Sequence, residues 1–217
     1  MQLLDTWPRA VKHLVPTGDS AAAQGAGESL LGRWAEPHRH YHTAQHLTEM
    51  LHAIDELSSG AGVSERERQL AVVAAWLHDA VYDVSSPPGD SERESADLAR
   101  NLLSALGFEQ SDRVTVERLI LLTIEHDAQW DSRVADVFND ADLAILAAAA
   151  ERFDEYCGQV RAEYVHVPEA AYNLARSAIL RALVDRPEVY RSPYAREAWS
   201  GRARANVQRE LDRLSSH

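Results

Sequence analysis

The sequence predicts an all-α fold. Apolar residues recur at helical spacing along almost the whole chain, and period-two runs of β-branched residues are missing. Two stretches, Ser64-Glu65-Arg66-Glu67 and Ser91-Glu92-Arg93-Glu94, also match the capping box, in which a serine and a glutamate satisfy free N–H groups at a helix start.

The spacing predicts helices over residues 2–14 and 20–35, then over 42–58, whose buried face is Leu47, Met50, Leu51 and Ile54. A helix over 65–82 starts at the Ser64 capping box and is apolar nearly all round from Ala71 to Val81, which places it at the centre of the molecule. Ser85-Ser86-Pro87-Pro88-Gly89-Asp90 opposes any helix and reads as a loop. The helix over 92–106 starts at the second capping box and stops at Gly107, a residue type suited to the left-handed conformation after a helix. Helices over 112–126 and 133–149 follow, the second with Phe138, Ala141 and Ile145 on its buried face, and Ala147 to Ala150 reads as plain helix. Helices over 151–165, 169–185 and 194–214 complete the chain.

No composition shift or repeat divides the 217 residues, so a single domain over 1–217 is expected. A formal charge of −12 disfavours a nucleic-acid polymer as partner, because that affinity rests on clustered Lys and Arg. A small phosphorylated molecule remains compatible, since one cation makes a local positive spot in an acidic protein. Cys157 is the only cysteine, which rules out an intramolecular disulfide and a thiolate metal cluster. With neither a signal-peptide pattern nor an apolar run near the ~20 residues of a membrane span, the expected location is cytoplasmic and away from membranes.

Chemistry gathers in three places. His38, His40, His42 and His46 crowd one helix start, and the four-residue step from His42 to His46 puts both on one helix face, with His46 nearer the core. His78-Asp79 interrupts the most apolar helix; a buried carboxylate there costs several kcal/mol, roughly the penalty for any unpaired buried charge, unless a cation compensates it. Asp142 projects from the face marked by Phe138, Ala141 and Ile145, whereas Asp140, rotated ~160° away at 100° per residue, caps, pairs or supports a neighbour. Two imidazoles and two carboxylates suit one divalent ion, whether Mn, Fe, Co, Ni, Zn or Mg. His126 shares a predicted helix face with Leu119 and Thr123 and is a candidate substrate contact; Arg39, Arg161 and Arg204 are candidate phosphate clamps. Glu92 can reach the site, with a solvated first-turn carboxylate as the plainer reading.

The order His46, then His78-Asp79, then Asp142 resembles the H…HD…D signature of HD-domain metal-dependent phosphohydrolases. Tyr41-His42-Thr43-Ala44-Gln45-His46 is similar to a motif of cyclic-nucleotide phosphodiesterases, although Thr43 stands where asparagine is usual. The chain also resembles a small bacterial branch of predicted HD-superfamily phosphohydrolases through Ala74 to Asp83, Glu92 to Ala96, Val160 to Tyr164 and Ala203 to Asn206. The Gly-Tyr-Pro extension of cyclic-di-GMP hydrolases is absent after His78-Asp79.

The resemblance implies a helical metal-dependent hydrolase of a phosphoester in a small molecule such as a nucleotide. His46, His78, Asp79 and Asp142 would hold the ion, with Asp79 also serving catalysis and His42 protonating the leaving oxygen. His126 and Arg161 would contact substrate. Two other readings stay open: an HD-type iron oxygenase, which would want more histidines between Asp79 and Asp142 than the single His126, and a non-catalytic metal-containing scaffold binding a nucleotide or a protein.

Overall fold

The computed structural model describes residues 2–126 and 130–216, and among these it is all-helical. Ten α-helices follow in order: α1 Leu3–Leu14, α2 Ser20–Arg33, α3 Ala44–Ala61, α4 Glu65–Leu77, α5 Asp90–Ala105, α6 Gln110–Leu122, α7 Arg133–Asp142, α8 Ala150–Glu163, α9 Glu169–Val184 and α10 Pro193–Ser215. A 3-10 turn, Leu143–Ala147, continues α7.

The apolar run in α4 behaves as its composition requires. Every residue from Leu70 to Leu77 is buried, and α4 packs against α1, α3 and α6. Indole N–H groups knit its surroundings: Trp76 donates to Thr6 Oγ1 at 2.9 Å, Trp34 to the Trp76 carbonyl at 3.1 Å and Trp7 to the Ala23 carbonyl at 2.8 Å. Each buried ring thereby keeps its polar atom bonded, the condition under which its area is stabilising. α2 reaches Trp7 because Gly27 lacks a side chain; a Cβ there would lie 2.7 Å from the indole. One hydrophobic core draws buried residues from all ten helices.

The Ser64 capping box forms as expected, with Ser64 N–H donating to Glu67 at 2.8 Å. The Ser91 box does not. α5 starts one residue earlier, at Asp90, behind Gly89 in the left-handed conformation (φ 84°), and Ser91 Oγ instead accepts from Asp83 N–H at 3.1 Å. Gly107 ends that helix region at φ 83°, where the Phe108 N–H closes on the Leu103 carbonyl at 3.0 Å.

α3 runs on to Ala61 past the predicted 58 and α6 starts at Gln110 before the predicted 112, while four predicted helix ends were too long. α4 stops at Leu77 rather than 82, α7 ends at Asp142 rather than 149, α6 ends at Leu122 rather than 126, and α3 starts at Ala44 rather than 42. In each case the residues released from the helix include a candidate site residue or lie next to one. No helix among the described residues is long and apolar enough to cross a membrane.

Candidate metal centre

Four elements deliver the central side chains. His46 sits in the first turn of α3, His78 caps the C-terminal end of α4 with Asp79 in the turn beyond, and Asp142 is the last residue of α7. His46 and His78 are 3% and 1% exposed, yet both turn Nε2 toward a shared point, 3.3 Å apart. Asp79 Oδ2 lies 2.9 Å from His78 Nε2 and 3.8 Å from His46 Nε2. Asp142 Oδ1 lies 3.2 Å from His46 Nε2 and 3.6 Å from His78 Nε2.

The three shorter separations, 2.9, 3.2 and 3.3 Å, are those of ligands to one ion, since donors ~2.1 Å from it stand ~3.0–3.4 Å from each other, and the 3.6 and 3.8 Å pairs lie slightly wider. The tautomers agree with that. His78 Nδ1–H donates to the Ala75 carbonyl at 2.9 Å, an atom that only accepts, so neutral His78 carries its lone pair on Nε2. His46 Nδ1 is held by Tyr41 OH at 3.0 Å, a hydroxyl that can accept from Nδ1–H and so is compatible with a lone pair on Nε2. His46, His78 and Asp79 form a group whose atoms can hold a metal ion, and the chemistry of the donors fits a divalent one.

Electrostatics give the same answer. Burial pulls His78 down, but the charges and hydrogen bonds of Asp79 and Asp142 outweigh it and hold its pKa well above the ordinary value. Burial pushes Asp79 and Asp142 up; the facing imidazoles reverse this and hold both low. Two nearly buried carboxylates thus draw positive charge into the cluster, which protons or a cation can supply.

His42 lies just before α3, not on it, so the helix-face argument for His42 and His46 is corrected: a turn brings them together, with ring centroids 5.9 Å apart. The geometry of that turn comes from Glu163, at the end of α8. Its Oε1 accepts the backbone N–H groups of His40, Tyr41 and His42 at 2.8, 2.8 and 3.0 Å. Its Oε2 accepts from His42 Nδ1 and Tyr82 OH, each at 2.8 Å. Tyr82 also stacks on the His42 ring, centroids 4.1 Å apart. Burial alone would raise the Glu163 carboxyl, but the His42 hydrogen bond, its charge and the backbone donors hold it at about 2. For His42, burial works downward; Glu163, together with the charges of Asp79 and Asp142, raises it above the usual imidazole value.

His126 lies beyond the end of α6 in the left-handed conformation, φ 53°, which corrects its placement on a helix face with Leu119 and Thr123. Its Nε2 nevertheless reaches to 3.7 Å from Asp142 Oδ2. Its carbonyl accepts from Arg186 and Arg191, each at 2.8 Å. Asn139 Nδ2 donates to Asp140, leaving Asn139 Oδ1 to accept from His126 Nδ1–H at 3.2 Å. Burial then takes His126 below the ordinary imidazole value despite the Asp142 charge and the Asn139 bond.

Asp140 has the supporting role expected of it. It accepts from the backbone N–H groups of Arg191 and Ser192 at 2.8 and 2.7 Å, anchoring the chain that leads into α10. Arg161 is not brought to the cluster. Its guanidinium donates to the Tyr164 and Val167 carbonyls at 2.5 and 3.1 Å and lies over the Tyr172 ring. Arg204 is spent on the carbonyls of Val184, Arg186 and Pro187. Arg39 is buried and donates to Glu36 and to the His42, Asp79 and Ala80 carbonyls, which fastens the His42 turn to the Asp79 turn.

Glu163 and Tyr82 are the residues that motif reading passed over. A signal existed for Glu163: Phe153, Tyr156, Val160 and Glu163 follow helical spacing on the buried face of α8. For Tyr82 no comparable signal exists, since its position is set by a turn.

Fold and cluster define an all-helical protein with a buried His–Asp group of metal-binding chemistry. No family model, no curated protein and no solved structure matches this chain.

Proposed function

We propose that the protein is a metal-dependent phosphohydrolase acting on a phosphoester of a small molecule, such as a nucleotide, with His46, His78, Asp79 and Asp142 holding one divalent cation. The observation that carries this reading is the juxtaposition of the cage with a histidine already supported as an acid: His42, bonded to Glu163 at 2.8 Å and within electrostatic range of Asp79 and Asp142. A scaffold that only bound metal would have no use for that pair.

A divalent cation in the cage supplies Lewis acidity toward water and a phosphoryl oxygen. His42 is held by Glu163 through Nδ1, which leaves Nε2–H to protonate the leaving oxygen, and the upward shift caused by Glu163, Asp79 and Asp142 favours its protonated form. His126 plays a different part from the phosphate contact expected of it. With Nδ1–H given to Asn139 and its pKa lowered, its Nε2 offers a lone pair, which accepts a proton from water and cannot donate to phosphate. Asp79, beyond its ligand role, supports the charge of His42.

The test is phosphate release from a panel of phosphomonoesters, phosphodiesters and nucleotides by metal-stripped protein reloaded with Mn, Co, Ni, Mg or Zn. Turnover should need the metal and vanish in His78→Ala together with stoichiometric metal binding. Silence across the panel by protein that retains metal would sink the hydrolase and favour the oxygenase or scaffold.

A further inference from the structure

One carboxylate on the rim of the cluster has no part in the chemistry above. Glu92 lies in the first turn of α5, between Ser91 and Ser95, both bonded to the turn that follows Asp79. Ser91 Oγ accepts from Asp83 N–H at 3.1 Å, and Ser95 Oγ accepts from Val81 N–H at 3.0 Å. Residues 92 and 95 share a helix face, so this pinning turns Glu92 inward toward the site. It is half-buried, no side chain among the described residues donates a hydrogen bond to it, and burial raises its carboxyl above the ordinary value, with the Asp79 charge adding to the rise and those of His78 and His42 opposing it. A carboxylate that served α5 only by complementing the helix dipole would stand in solvent instead.

The cluster is lopsided. Arg186 and Arg191 bond the His126 carbonyl at one end, while at the other the turn that α5 pins at Val81 and Asp83 carries Tyr82, whose ring stacks on His42 with centroids 4.1 Å apart. The leaving oxygen must emerge beside His42, because that residue protonates it. The organic group attached to this oxygen therefore lies against Glu92.

We infer that Glu92 is a specificity-determining residue that selects leaving alcohols carrying a further hydrogen-bond donor, a hydroxyl or an ammonium, close to the ester oxygen. This rests on the hydrolase reading. A donor of that kind gives Glu92 the partner that the protein does not, while a plain alkyl or aryl ester buries the carboxylate unsatisfied.

The test compares ethyl phosphate, glycerol phosphate and phosphoethanolamine on Mn-loaded protein. Binding is read by calorimetry on His42→Ala, so that no ligand turns over, with and without Glu92→Ala or Glu92→Gln; kcat/KM is read with His42 present. Glu92 should favour one or both donor-bearing ligands over ethyl phosphate by roughly 10- to 100-fold. Glu92→Ala should collapse that ratio. Preserved discrimination of glycerol phosphate in Glu92→Gln marks a hydroxyl donor, and loss confined to phosphoethanolamine marks an ammonium; either supports the inference. Equal binding of all three ligands with Glu92 present, an unchanged ratio in Glu92→Ala, or no binding at all overturns it. A ratio that persists in binding without turnover of any ligand would overturn the hydrolase and leave the Glu92 contact standing.

Discussion

His42 and His126 flank the same cluster and are both largely buried, yet the chain prepares them for opposite work. The first is hydrogen-bonded to a carboxylate, Glu163, and titrates above the ordinary imidazole range. The second is hydrogen-bonded to a neutral amide, Asn139, with two guanidiniums on its carbonyl, and titrates below it. Burial lowers both, so the sign of the shift is decided by the partner: a fixed negative charge reverses the desolvation cost, and an amide does not. The shifts run in opposite directions across the His–Asp cluster, favouring the protonated form of His42 and the neutral form of His126.

The sharpest way to break this comparison is to truncate each side in turn. His42→Ala should lower kcat by ~10²–10⁴-fold with metal retained, and should abolish the alkaline limb of the pH profile, because an acid is active only below its pKa. His126→Ala should leave that limb in place and cost a smaller ~10–100-fold, as expected for a group that orients or deprotonates water beside a metal. Metal content read alongside kcat separates loss of chemistry from loss of the cage.

Glu163→Gln makes the partner of His42 resemble that of His126. The folded His42 pKa, now raised, should fall, so the alkaline limb of kcat/KM should move to lower pH, an effect visible in a rate profile or by NMR titration of the imidazole. The backbone N–H bonds survive on the amide oxygen, and the fold should persist. An unmoved limb would show that Asp79 and Asp142, not Glu163, set the acid. The smallest effect belongs to Arg161→Ala. Its donors end on the Tyr164 and Val167 carbonyls, so KM should change less than about twofold while stability drops by about 1 kcal/mol.

Much of this was legible in the chain. The helical count and order followed from spacing, and the ordered His and Asp positions on apolar faces pointed to the side chains that the structure brings together as the His–Asp cluster. What sequence patterns missed has one physical source. Periodicity runs past the last helical residue whenever apolar residues continue, and it therefore absorbed His78, Asp79 and His126 into helices that actually stop short of them or at them. His78 and Asp79 depend on α4 unwinding after Leu77, and His126 on a left-handed residue after α6. Arg39 and Arg161 misled for another reason: arginine in a motif suggests phosphate, while both guanidiniums here are occupied by backbone carbonyls at turns. Glu163 was within reach, because a carboxylate on a helix face with Phe153, Tyr156 and Val160 demands partners.

The bonds of Glu163 to residues 40–42 also set an order on the making of the site. All four residues of the His–Asp cluster have been made once residue 142 is reached, and the helices that carry them, α3, α4 and α7, contact one another in the fold. His42, by contrast, lacks its carboxylate partner until the end of α8 docks on the turn before α3, about 120 positions away in the chain. A nascent chain that has emerged only as far as α7 therefore carries every member of the His–Asp cluster but not the carboxylate that orients His42, and the two parts of the site come together as separate events in folding.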